Sequence, residues 1–153
     1  MNALTNLFTP DCIALDNPAK NRADAFAAAG YLFAKQIGID ASSVIEFLNA
    51  REELGSTALG AGVAIPHGRV KGLKQPAAAL IRLKDPIEFA APDGEPVRTL
   101  IFLLVPEKAT QQHLEILSSI AQLLSDADVR ETLSTSTDTK KVCELLQHWG
   151  NTK

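Results

Sequence analysis

The chain has 153 residues, 46% of them hydrophobic and 22% charged, and a formal net charge of −3. These values suit a globular chain with a sizeable core, and they exclude disorder and any general affinity for nucleic acid or an anionic membrane. The two cysteines, Cys12 and Cys143, lie far apart and far from any paired histidines, which argues against a zinc motif or a disulfide scaffold and fits a reducing cytoplasm.

The opening segment MNALTNLFTPDCIALDNPAK lacks the basic start and unbroken apolar run of a secretory signal. No window approaches the roughly 20 apolar residues that a membrane helix needs, so a cytoplasmic protein without membrane insertion is expected. The first predicted helix covers residues 20–37, with Phe26, Gly30, Phe33 and Ile37 on one face and Gly38 as its stop. Asp40 is placed to cap a second helix that buries Val44, Phe47, Leu48 and Leu54, carries Arg51 near its end and stops at Gly55.

Short β-leaning pieces follow at Thr57–Leu59 and Val63–Ile65, then longer ones at Ala77–Leu83 and Val97–Val105. The run Leu100-Ile101-Phe102-Leu103-Leu104-Val105 is apolar throughout, as a strand buried on both faces requires. Pro86, Pro92 and Asp93-Gly94 read as turns between the two long strands. Thr110 is placed to cap a helix whose expected buried stripe is His113, Leu114, Leu117, Ile120, Ala121 and Leu124; helices at Ala127–Leu133 and Thr139–His148 end the chain. Helices bracket a sheet, so the class is α/β or α+β with a central mixed sheet. With no repeat or long linker, residues 1–153 are expected to form a single domain.

The segment Arg51-Glu52 to Arg69 is the most informative. Val63-Ala64-Ile65 forms a short apolar strand that delivers His67 to its end, Pro66 stiffens the backbone before it, and Gly68 is expected to let the chain turn away. Gly60 and Gly62 allow a tight reversal upstream. A histidine held in this way suits three chemistries: general base, metal ligand or phosphoryl acceptor. Only His113 and His148 remain as further imidazole ligands, without a paired-histidine motif, and no G-x-S-x-G elbow presents a hydrolytic nucleophile. The residues alone leave open whether His67 has a chemical role or a structural one. For His113 they favour a core histidine, for Arg51 a helix-end cation is an alternative, and Glu52 is as readily a solvated residue as an orienting one.

Glu52, six residues, Leu59-Gly60, two residues and Val63-Ala64-Ile65-Pro66-His67-Gly68 resemble the signature of the fructose/mannitol class of enzyme IIA proteins of the bacterial phosphotransferase system. Arg51-Glu52 with Leu54-Gly55-Ser56-Thr57 looks like the segment leading into that family's active loop. Leu104-Val105-Pro106 followed by His113-Leu114-x-x-Leu117 is similar to its second histidine motif. The resemblance covers nearly the whole chain. It implies a phosphotransferase IIA fold and a phosphohistidine carrier of the transferase class, with no cofactor and no metal. His67 would accept the phosphoryl group from a histidine phosphocarrier protein, attacking through Nε2, with His113 and Arg51 beside it. Ser56, Thr57 and Glu52 are further candidates for holding phosphate.

The family divides by purpose. Some members hand the phosphoryl group to a IIB domain of a fructose/mannitol-type sugar permease. Others, the nitrogen-regulatory type, act on regulatory target proteins according to phosphorylation state. The Leu54-Gly55-Ser56-Thr57 segment and the Pro66-His67-Gly68-Arg69 loop look closer to the regulatory type, with the permease component as the alternative. A binding module that keeps the fold but never carries phosphate is the reading from a different class.

Overall fold

The computed structural model describes residues 7–108 and 111–149. After a 3-10 turn at Pro10–Cys12 come β1 (Ile13–Asn17), α1 (Arg22–Ile37), α2 (Ala41–Glu53), β2 (Ala58–Gly60), β3 (Val63–Ala64), β4 (His67–Val70), β5 (Ala77–Ile87) and β6 (Val97–Pro106). Three helices complete the chain: α3 (Gln111–Leu124), α4 (Ala127–Thr135) and α5 (Thr139–His148). The strands form one mixed sheet in the order β1-β5-β6-β3-β2, and β4 also pairs with β6. This is the expected class.

β6 organises both layers. Its side chains alternate, as strand geometry dictates. Leu100, Phe102 and Leu104 pack with Phe26 and Phe33 of α1 and Val44 and Leu48 of α2. Ile101, Leu103 and Val105 pack with Ile116 and Ile120 of α3, Leu133 of α4 and Leu146 of α5. The apolar run is therefore buried on both faces, as its composition predicts.

The helix starts follow from local chemistry. Asn21 accepts a bond from the Asp24 amide, Asp40 from that of Ser43, and Asp126 and Asp138 cap α4 and α5 in the same way. The expected cap of α3, Thr110, lies outside the described residues. Three apolar residues expected inside are outside: Ile37, Leu54 and Leu114 are 43%, 84% and 60% exposed. Leu54 follows the last turn of α2, past its packed face, while α3 is rotated so that Ile116 and Leu123 enter the core. Pro86 is not a turn; it lies inside β5, where the register with β6 breaks between Arg82 and Ile87 and the ladder tolerates a missing amide donor. β1 was not anticipated.

β3 and β4 behave as one interrupted strand. Val63 and Ala64 pair with Thr99 and Leu100, while His67 to Val70 pair with Leu103 to Pro106, all parallel to β6. Between them the Pro66 carbonyl accepts a bond from the Leu103 amide at 3.0 Å. The chain therefore continues straight through Gly68. That glycine serves close packing: a Cβ there would meet Phe47 of α2 at 3.3 Å. The expected reversal occurs upstream, where Gly60 and Gly62 take φ of 92° and 80° between β2 and β3.

Candidate functional site

β4 lies at one margin of the sheet, where α2 from one layer and α3 from the other meet across it. His67 pairs with Leu103 in register and so faces the α3 side. There its ring stands 6.1 Å, centroid to centroid, from that of His113, with the planes 87° apart. His113 is in the first turn of α3 and only 8% exposed. A cavity of about 410 Å³ opens between them, lined by Phe47, Ala50, Arg51 and Leu54 from α2 and its cap, by His67, Gly68 and Arg69 from β4, and by His113.

The protonation of His67 follows from one bond. Nδ1 lies 2.8 Å from the Ile65 carbonyl oxygen. A carbonyl only accepts, so Nδ1 carries the proton and Nε2 holds the lone pair. Burial, the largest cause, holds the His67 imidazole below its ordinary value, and the Arg51 charge acts in the same sense; the Ile65 carbonyl and Glu52 oppose them. The ring is thus neutral at pH 7, with a nucleophilic nitrogen available. His113 is also held low, by burial first and then by the His67 and Arg69 charges. Its Nδ1 is buried and has no hydrogen-bond partner among the described residues.

Arg51 is half-buried in the last turn of α2, where Nη1 donates to the Gly55 carbonyl at 2.9 Å. That bond ties the guanidinium to the helix end and leaves its other N–H groups for an anion. Glu52, 4% exposed, has an orienting role. Its two oxygens accept from the Thr57 amide at 2.8 Å and the Thr57 hydroxyl at 2.7 Å, fixing the turn that leads into β2. Ser56 donates its hydroxyl to the Phe89 carbonyl at 2.8 Å. The hydroxyl protons of Ser56 and Thr57 are both engaged within the protein, although the two residues line a neighbouring depression with His67 and Arg51.

His67, His113 and Arg51 therefore come together at one cavity, while Glu52, Thr57 and Ser56 stand behind it as a bonded frame. His148 is exposed at the end of α5, away from the lining. Arg69 was not singled out by the sequence reading. Recognising β4 as a strand would have revealed it, because alternation puts residues 67 and 69 on one face. The exposed Leu54, Leu59 and Leu114 were missed as well. Leu54 edges the cavity, Leu59 lines the neighbouring depression, and Leu114 follows His113 in the chain. No described helix is long and apolar enough to cross a membrane.

The family model described as phosphoenolpyruvate-dependent sugar phosphotransferase system, EIIA 2, matches residues 6–149. The chain is 38% identical over 147 residues to a nitrogen regulatory protein of Pseudomonas aeruginosa, covering 95% of this chain and 96% of that one. It is 36% identical over 143 residues to a nitrogen regulatory protein of Bradyrhizobium diazoefficiens, covering 94% of each. The crystal structure of the nitrogen regulatory protein IIA-Ntr from Neisseria meningitidis superposes with a TM-score of 0.86 at 44% identity, over 90% of this chain and 94% of that one. The chain belongs to the EIIA 2 family and is a IIA protein of the nitrogen-regulatory type.

Proposed function

We propose that His67 accepts a phosphoryl group through Nε2 from a histidine phosphocarrier protein, and that its phosphorylation state governs binding to regulatory target proteins. The observation that carries this reading is the Nδ1–H bond to Ile65, which leaves Nε2 as the lone-pair nitrogen of a neutral ring beside a cavity with cationic groups. In the transfer, the His67 Nε2 lone pair forms the new N–P bond as the donor's N–P bond breaks. The released electron pair returns to the donor imidazole, and the Nδ1 proton of His67 stays on its bond to Ile65. No general base is needed, so positioning and charge carry the rate. Arg51 supplies a fixed cation, and His113 with the free amides of the first turn of α3 supplies donors to phosphoryl oxygens.

The chain works in this reading as a single domain in the cytoplasm. Exposed Leu54, Leu59 and Leu114 offer the apolar contact through which a phosphocarrier seats its own histidine against His67. A phosphoryl group then adds about two negative charges to this face, enough to recruit or repel a target. The test is incubation with enzyme I, a phosphocarrier protein and labelled phosphoenolpyruvate. The reading expects one phosphoryl group on the wild type and none on His67→Ala. Undiminished label on that variant would refute the site, and an unlabelled wild type would leave a binding module.

A further inference from the structure

We propose that Arg69 is a second cation that touches the phosphoryl group on His67 and lowers the barrier to its transfer, an inference that rests on the phosphoryl-acceptor reading above. Arg69 and His67 sit two residues apart on β4 and face the same side of the sheet. Same-face neighbours on a strand are separated by about 7 Å, a span that an extended arginine side chain covers. Both line the cavity that also holds His113, and the positive charge of Arg69 is felt at the His113 ring.

The two site arginines are prepared differently. Arg51 is tied to the Gly55 carbonyl and is half-buried. Arg69 is exposed, and among the described residues its guanidinium makes no hydrogen bond or ion pair. Its five N–H donors are therefore available to two phosphoryl oxygens in a paired, planar fit. Arg51 fixes one side of the group; Arg69 closes on it from the strand. As Nε2 attacks, charge on the equatorial oxygens is shared with this guanidinium, which gives up no proton and forms no covalent bond.

Docking of a carrier protein would also respond to a charge at this place, so the test separates the two roles. Potassium phosphoramidate phosphorylates imidazole directly: an N–P bond forms at His67 as the reagent's N–P bond breaks and ammonia leaves with the electron pair. Phosphorylation of wild type, R69Q and R69K is followed with this reagent and with the phosphocarrier, with His67→Ala as control. Loss of a guanidinium contact in R69Q is expected to slow both reactions by about tenfold, and R69K to restore part of the rate, since a point charge replaces the planar fork. An unchanged phosphoramidate rate with a slower carrier reaction would overturn the proposal in favour of docking. Unchanged rates with both donors would make Arg69 a solvated residue. A wild type that takes no phosphoryl group on His67 would instead sink the acceptor reading on which the proposal rests.

Discussion

The two margins of the sheet use their arginines in opposite ways. Beside β1, Arg82 of β5 is 1% exposed; its Nε has no partner among the described residues, but both Nη atoms are bonded to protein acceptors. Nη1 donates to the Leu133 carbonyl at 3.2 Å and the Ser136 carbonyl at 2.5 Å, and Nη2 pairs with Asp16 at 3.0 Å. Beside β4, Nε2 of His67 holds a lone pair, and neither the Nδ1 of His113 nor Arg69 has a hydrogen-bond partner among the described residues. One margin uses a cation to close the end of α4 against the sheet. The other keeps the His67 lone pair and the Arg69 charge beside a cavity, open to an outside group. A buried cation bonded to carbonyls and a carboxylate of its own chain stabilises a fold; a cation left without such acceptors beside a cavity suits a ligand.

That contrast is broken most sharply at Arg82. Arg82→Met removes the donor from two carbonyls at the end of α4 and is expected to lower unfolding free energy by about 2–3 kcal/mol, measured by denaturant unfolding. The same variant is expected to accept a phosphoryl group on His67 at the wild-type rate. A variant that kept its stability but lost acceptance would erase the distinction between the two margins.

A smaller effect is expected behind the open side. Thr57→Val removes the hydroxyl from the buried Glu52 carboxylate while leaving the amide bond, and should cost about 1–2 kcal/mol in unfolding free energy. Because Glu52 and Thr57 frame the approach to His67 without touching the cavity, acceptance should slow only modestly. A loss as large as that of His67→Ala would promote Thr57 to a phosphate contact.

The smallest effect lies in pH. His67 and His113 are both held below the ordinary value of 6.5 in the folded protein. Below that value the unfolded chain binds more protons than the fold does, so the stability these rings contribute is complete above about pH 6.5 and is lost as pH falls through their folded values. Denaturant midpoints measured from pH 7.5 to 5 should therefore decline less in a His67→Asn, His113→Asn double variant than in the wild type. An equal decline would mean that neither ring is held neutral by the fold.

Much of this was legible in the chain. The apolar run of β6, the Asp40 cap and the Gly38 stop rest on local chemistry, and they appear where the sequence puts them. The spacing from Glu52 to Gly68 carries the family resemblance and His67, while Arg51 comes from the segment leading into it and His113 from the separate motif after Leu104-Val105-Pro106. What was not legible depends on packing. β1 is only five residues long and hides in a mixed segment. Leu54 and Leu114 fit helical stripes, yet their exposure depends on where α2 ends and how α3 is rotated. Gly68 looked like a turn because its actual purpose, room for Phe47, exists only once α2 lies on β4. Ser56 and Thr57 looked like phosphate donors until Phe89 and Glu52 took their protons.

The central claim is that the fold reserves Nε2 of His67 for the phosphoryl group by binding the Nδ1 proton to Ile65. A proton–nitrogen correlation spectrum of the phosphorylated protein, with its histidines labelled with ¹⁵N, reads this directly. The account predicts a single modified ring, His67, with phosphorus on Nε2 and the proton still on Nδ1. Phosphorus on Nδ1, or on the ring of His113 or His148, would contradict it.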